Sequence, residues 1–256
     1  MIVAHVTDSH IIKPGIQYSK IAKSRIENLE KFVSNILELK IKPDAIIHTG
    51  DISHNGLIDE YKLAYNILRK LKIPIFYTPG NRDNRKNLSS IFCHSFLTNA
   101  EQDLFIYSCT FEKFRLISFD SCCDKNNQGE FTFEKLNIFS KILMEDKKIP
   151  TIIFMHHPPY NVSLSSSKRM EFISESLFPR FRKIIGSCNN LIGIFCGHIH
   201  RNFKSKIGNV ISYTLPPIAL DLSRDNEITY DLNKVQYLLH SYSENTGILT
   251  KRILIQ

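Results

Sequence analysis

No two cysteines in this chain are spaced as CxxC, and no apolar run approaches the ~20 residues that a membrane-spanning helix needs. The six cysteines (Cys93, Cys109, Cys122, Cys123, Cys188, Cys196) are scattered apart from one vicinal pair. That spacing suits neither a zinc ribbon nor a disulfide framework and predicts reduced thiols. The opening MIVAHVTDSH has no basic stretch leading into a long apolar run, so a secretory leader is not expected and a cytoplasmic location is. Pro/Gly/Ser-rich linkers, internal repeats and long blocks of like charge are also missing. A single domain over residues 1–256 is the economical expectation.

What is present is an ordinary globular balance, 43% hydrophobic and 23% charged, which excludes a disordered or collagen-like chain. A formal net charge of +8 favours anionic partners by long-range steering. The basic residues are spread along the chain rather than gathered in a stripe, so nucleic acid is not the expected partner.

Short apolar runs alternate with helical periodicity. MIVAHV (1–6), AIIH (45–48) and IPIFYT (73–78) read as strands. Between them lie an apolar stripe over 20–40 (Ile21, Ile26, Leu29, Phe32, Val33, Ile36, Leu37) and a helical pattern over 57–71. Such a β-α-β-α-β opening predicts parallel strands with right-handed crossovers. Residues 103–111 and 114–121 then read as a hairpin across Glu112-Lys113. Helices near 131–146 and 168–186 alternate with strands at 151–155 and 191–196, and strands at 209–215, 234–242 and 247–255 close the chain. Early parallel and late antiparallel strands predict an α/β protein of two mixed sheets with helices outside.

Five polar clusters sit directly behind apolar strands: Asp8-Ser9-His10, Gly50-Asp51, Gly80-Asn81, His156-His157 and Gly197-His198-Ile199-His200. In a parallel sheet the C-terminal strand ends share one edge, where ligands bind. Two aspartates, an asparagine and up to five histidines therefore converge on one rim. Imidazole with carboxylate suits iron, manganese, zinc or nickel, whereas calcium would want oxygen throughout. Asp51 has oxygens to spare for two ions. Each cluster alone is a weak signal, since histidines at strand ends are often only hydrogen-bonded; five in one topology are a strong one.

The ordered set DxH, GD, GN, HH, GHxH resembles the calcineurin-like metallophosphoesterase superfamily, over nearly the whole chain. The resemblance implies a four-layer α/β/β/α sandwich. HHPPY (156–160), GHIHR (197–201) and the compact length are similar to bacterial class III cyclic nucleotide phosphodiesterases, and glycerophosphodiesterases share the plan. SYTLPPIALDL (212–222) and VQYLLHSYS (235–243) resemble the substrate-side and closing-strand region of that group. Carried over, Asp8, His10, Asp51 and His200 hold one metal ion, and Asp51, Asn81, His156 and His198 the other, Asp51 bridging. Iron and manganese are the implied ions, with zinc compatible. Activated water, as hydroxide, then attacks phosphorus in line. The implied substrate is a small phosphodiester, first of all a 3′,5′-cyclic nucleotide such as cyclic AMP; the alternatives are a glycerophosphodiester, a nuclease-type substrate, or a weakly catalytic nucleotide sensor. No membrane partner is implied, and self-association as a homodimer is.

Asn81, Arg82 and His157 are the implied catalytic positions, with His157 either near the substrate or behind the ligands. Here the sequence departs from the pattern: GNRD stands where the family has GNH followed by an acid. Arginine cannot serve as a general acid near neutrality, but it can fork onto a phosphate. Another group (His54, His157 or a water) donates the proton, or only good leaving groups are cleaved well, or Arg82 points away with Asp83 and pins the loop. His5, His48, His94 and His240 read as structural, and the loop NVSLSSSKRM (161–170) as a solvated overhang of the site.

Overall fold

The computed structural model describes all residues except 16–17, 93–103, 161–171, 224–233 and 256. The first sheet has the order β11-β10-β1-β2-β3. In it β1 (Ile2–Val6), β2 (Ala45–His48) and β3 (Ile75–Tyr77) run parallel, joined by α1 (Ser19–Glu38) and α2 (Ile58–Leu68). The antiparallel pair β10 (Gln236–Ser243) and β11 (Gly247–Leu254) completes it, β10 pairing with β1. The second sheet has the order β4-β5-β6-β7-β9-β8. Its parallel centre is β5 (Arg115–Phe119), β6 (Thr151–Met155), β7 (Leu191–Phe195) and β9 (Val210–Thr214). β4 (Tyr107–Thr110) and β8 (Phe203–Ile207) are its antiparallel edges.

The sheets face each other, with helices on the outer faces. β6 makes the layering explicit: Ile152 and Phe154 join the core shared with the first sheet. Ile153 and Met155 join a second core with α4 (Phe133–Met144) and α5 (Phe178–Gly186). A strand covered on both faces needs apolar residues at every position, which is why TIIFM shows no alternation. The expected four-layer sandwich is therefore what forms.

Several expectations shift in detail. The buried face of α1 is Ala22, Arg25, Asn28, Leu29, Phe32, Val33 and Ile36, whereas Ile21 and Leu37 are exposed. Apolarity alone set that stripe slightly off, because two polar side chains face inward for reasons the site explains. The expected helix over 168–186 begins only at Phe178, with Pro179 in its first turn, where a missing N–H is tolerated; 168–171 fall outside the described residues. Residues 104–106 precede β4 without joining it. A short helix, α3 (Arg85–Ile91), follows the GNRD stretch, capped by the Asn84 side chain, which accepts from the Asn87 N–H at 2.9 Å. β8 was not legible because FKSKI is mostly polar, as suits an edge strand that must not pair further. The hairpin across Glu112-Lys113 forms as read: the Phe111 N–H donates to the Phe114 carbonyl at 2.8 Å, and the two rings stack with centroids 4.3 Å apart.

Candidate metal centre

The five polar clusters follow β1, β2, β3, β6 and β7, so the architecture brings them to one edge. Their loops are tied side by side. Asp8 N–H donates to the Gly50 carbonyl at 3.0 Å, His10 N–H to that of Asp51 at 2.8 Å, and Gly197 N–H to that of His156 at 3.0 Å. Among the described residues, six other than glycine have positive φ, and five of them are Asp8, His10, Asp51, His198 and His200. Each left-handed residue costs ~1–2 kcal/mol, strain that a fold retains where the surrounding structure over-determines it, characteristically at functional sites.

Asp8, His10, Asp51 and His200 form one buried group whose donor atoms lie within 4.8 Å of one another. His200 Nε2 is 3.2 Å from Asp8 Oδ1 and 3.3 Å from His10 Nε2. Asp51 Oδ2 lies 3.4 Å from His10 Nε2. The outward nitrogens are committed elsewhere: His200 Nδ1 donates to the Leu222 carbonyl at 2.9 Å, and His10 Nδ1 faces His54 Nδ1 at 3.3 Å. Donation to the Leu222 carbonyl leaves the His200 Nε2 lone pair pointing inward, as ligation requires, and the His54 contact is compatible with the same tautomer of His10. Thr7 Oγ1–H and the His198 N–H both donate to Asp8 Oδ2, at 2.6 and 3.0 Å, which frees Oδ1.

The second group gathers around His156. Its Nδ1 donates to the Thr49 carbonyl at 2.7 Å, and its Nε2 lies 3.1 Å from Asn81 Oδ1 and 3.7 Å from Asp51 Oδ2. His156, His157 and His198 also bring donor atoms within 4.8 Å of one another. His157 is nonetheless engaged at both nitrogens, by Ser121 Oγ at 2.9 Å and by the Asn127 carbonyl at 3.2 Å. Of the two positions the sequence allows it, the geometry favours the one behind the ligands. His198 Nε2, by contrast, is buried with no hydrogen-bond partner.

These features pass the test of fit for metal. A buried, unpartnered imidazole nitrogen and inward lone pairs facing carboxylates are unfavourable without positive charge between them. The local electrostatics point the same way. Burial, with repulsion from Asp8, pushes the Asp51 carboxyl up to about 6 despite the attraction of His10. Burial pushes His200 down, but the Asp8 carboxylate outweighs it and the net direction is up. Asp51 and His200 are thus shifted toward holding a proton, whereas Asp8 is held ionised and burial pushes His10, His156 and His198 toward neutrality.

Arg82 contributes through its backbone, whose N–H donates to Asp51 Oδ1 at 2.7 Å. Its side chain is exposed and makes no hydrogen bond or ion pair among the described residues. After burial itself, the charges of Arg25 and Arg82 push His54 down, so both guanidiniums lie near that imidazole. Asp83 pins the loop: it accepts from the N–H groups of Ile52, Ser53 and Gly80 at 3.2, 3.0 and 2.9 Å and from the Tyr61 hydroxyl at 2.9 Å. Thr7, Thr49, Ser121 and Leu222 were missed as supports, since nothing marks an ordinary residue whose carbonyl or hydroxyl happens to face such a side chain. His5, His48 and His240 are buried within strands, as expected; His94 and the loop 161–170 lie outside the described residues.

Two glycines are dictated by space. A Cβ on Gly80 would come within 2.1 Å of Asp51 Oδ1, and one on Gly197 within 2.1 Å of Thr7 Oγ1 and 2.8 Å of Asp8 Oδ2. Gly197→Ala is therefore expected to displace the Thr7 hydroxyl from Asp8. Stability should fall by ~1–3 kcal/mol, and manganese affinity by about 10–100-fold, as for loss of other supporting contacts. Isothermal titration with Mn²⁺ checks this; unchanged affinity would show that the loop yields freely.

A profile for calcineurin-like phosphoesterases matches residues 1–202. A probable glycerophosphodiester phosphodiesterase from Arcobacter nitrofigilis is 31% identical, over 98% of this chain and 92% of its own length. A probable cyclic nucleotide phosphodiesterase from Vesicomyosocius okutanii subsp. Calyptogena okutanii is 27% identical, over 88% of this chain and 90% of its own. The fold is shared with a dimetal phosphatase from Danio rerio, at a TM-score of 0.69 and 13% identity, covering 100% of this chain and 99% of that one. With its five motifs carried on that fold and a profile spanning most of its length, the chain belongs to the calcineurin-like phosphoesterase family.

Proposed function

We propose that this protein hydrolyses a small phosphodiester with the help of two divalent metal ions. The reading rests on Asp51 Oδ2, a single oxygen within 3.4 Å of His10 Nε2 in one ligand group and 3.7 Å of His156 Nε2 in the other. Asp8, His10, Asp51 and His200 would hold one ion, and Asp51, Asn81, His156 and His198 the other. When bound, such a pair acidifies water and neutralises phosphate oxygens. Their imidazole and carboxylate donors suit manganese, iron or zinc. Arg82 binds the phosphate through its unpaired guanidinium, and His157 positions the neighbouring histidines.

For the substrate, a groove of about 540 Å³ opens beside Asn81. Lys86, Lys125, Asn126 and Asn127 line it, and no aromatic ring does among the described residues. Hydrogen-bonding side chains without a stacking surface favour a polar arm, as in a glycerophosphodiester, over a purine. A 3′,5′-cyclic nucleotide is the second reading, supported by relatives named for that activity. Among the described residues no helix is long and apolar enough to cross a membrane.

The test is hydrolysis of bis(p-nitrophenyl) phosphate, glycerophosphoethanolamine and 3′,5′-cyclic AMP, with added manganese and after chelation. Manganese-dependent turnover of the nitrophenyl diester and the glycerophosphodiester is expected. Faster turnover of cyclic AMP would transfer the proposal to the nucleotide. No turnover of any diester by protein with two metals bound would leave the sensor.

A further inference from the structure

Arg25 occupies a core-facing position of α1 and is 3% exposed, an unusual place for a charged side chain. Its guanidinium spends its donors on two segments. Nη1 donates to the His10 carbonyl at 2.9 Å. Nε and Nη2 fork onto Asp221, at 3.0 Å to Oδ1 and 2.6 Å to Oδ2. Asp221 lies in a short 3-10 turn, Leu220–Leu222, and the next carbonyl, that of Leu222, accepts from His200 Nδ1. Arg25 thus holds the backbone of one ligand and, through two consecutive residues, the ring of another.

The same helix and turn also reach Asp8. Asn28, one turn along α1, donates from Nδ2 to the Ile218 carbonyl at 3.1 Å. Ile218 N–H and Ala219 N–H donate in turn to the Thr7 and Asp8 carbonyls, both at 3.1 Å. Every contact in this set leads to Asp8, His10 or His200, and none to Asn81, His156 or His198. His156 takes its support from the Thr49 carbonyl instead.

We propose that Arg25 and Asp221 are positioning residues for the first metal: they set the His10 and His200 imidazoles and make no contact with Asn81, His156 or His198, the ligands that belong to the second metal alone. A forked ion pair constrains direction as well as distance, and a third bond from the same planar group couples the two ligands rigidly. Lysine cannot reproduce it, because a single ammonium does not span three acceptors on two segments in that plane. The proposal rests on the dinuclear reading above.

The experiment is Mn²⁺ binding by equilibrium dialysis and elemental analysis, with the spin-coupled Mn pair followed by electron paramagnetic resonance. It compares the unmodified protein with Arg25→Met, Arg25→Lys and Asp221→Ala. The Asp221 side chain is 37% exposed, but its removal leaves the buried Arg25 guanidinium without its counter-charge, so a urea titration first establishes that each variant is folded under the dialysis conditions. Two sites are expected in the unmodified protein. In each variant one site should keep its affinity while the other weakens by about 10–100-fold, the usual consequence of losing a ligand's support. The coupled signal should disappear at manganese levels that saturate the unmodified protein and return at higher ones, with turnover. Equal weakening of both sites, unchanged affinities in Asp221→Ala, or full retention of both sites in Arg25→Lys would overturn the proposal. Fewer than two manganese ions on the unmodified protein would overturn the dinuclear reading and this proposal with it; two ions there and unchanged variants would sink the proposal alone.

Discussion

Asp51→Asn is expected to lower diester turnover by roughly 10³-fold or more, through loss of the paired ions that generate nucleophile and neutralise charge. The side chain keeps its size, so the effect comes from orientation and charge. Arg82 N–H donates to Asp51 Oδ1, and an amide placed there must turn its oxygen toward that buried donor. Its NH₂ then faces His10 Nε2 and His156 Nε2, where Oδ2 now lies 3.4 and 3.7 Å away. A donor in that place repels any cation, and the cluster loses one of its two carboxylates. Metal analysis should find fewer than two ions per chain. A variant that holds both ions and turns over within about tenfold of the original, far short of the loss expected of the metal pair, would refute Asp51 as the shared ligand.

The same substitution has an opposite effect on the metal-free fold, which separates ligand loss from folding damage. In the chelated protein the Asp51 carboxyl is pushed up to about 6 from its ordinary 3.8. With the folded value raised, the carboxyl's relative contribution is most favourable below 3.8 and is lost as pH rises through about 6. Above that pH the buried ionised group costs on the order of 2–3 kcal/mol, which a neutral amide avoids. Chelated Asp51→Asn should therefore resist urea at pH 8 at least as well as the chelated original, and lose that advantage near pH 4. Lower stability at pH 8 would mean that the amide damages the loop and that its turnover cannot be read as ligand loss.

Arg82→His should change which diesters are cleaved well. A guanidinium stays protonated and cannot give its proton to a departing alkoxide, whereas general acid help is worth ~10²–10⁴-fold when the leaving group is poor. In the present protein, turnover should fall steeply from nitrophenyl to alkyl diesters. Histidine at this position should raise alkyl diester turnover by up to ~10²-fold and lower the nitrophenyl rate, where only the guanidinium's phosphate contact is given up, flattening the dependence on leaving-group pKa. The anchor to Asp51 is a backbone N–H and survives the exchange. A uniform loss on all diesters would instead show that phosphate binding is the whole of Arg82's role and that the acid is supplied elsewhere. His54 is poorly placed for that duty, since its Nδ1 faces His10 Nδ1.

The proposed ligand set could be read because strand ends behind apolar runs converge wherever the strands are parallel. Asp8, Asp51, Asn81 and the histidines at 156, 198 and 200 could be named without coordinates for that reason. The supports were not. Leu222 and Thr49 act through carbonyls that every residue owns, and Arg25 looked like a polar interruption of a helix whose apolar face was drawn through Ile21 and Leu37. The resemblance put His156 among the ligands and left His157 two positions; only Ser121 and Asn127, from another loop, occupy both nitrogens of His157 and favour the one behind them.

Order and spacing of polar residues along the chain thus determined the fold class, the candidate ligands and the chemistry they suit, because periodicity and strand-end position are local properties. Which nitrogen faces inward, which carboxylate oxygen lies between both groups, and which helix braces the first of them depended on contacts between residues such as Arg25 and Asp221, 196 positions apart. Directional bonds of that kind exist only after the chain has folded.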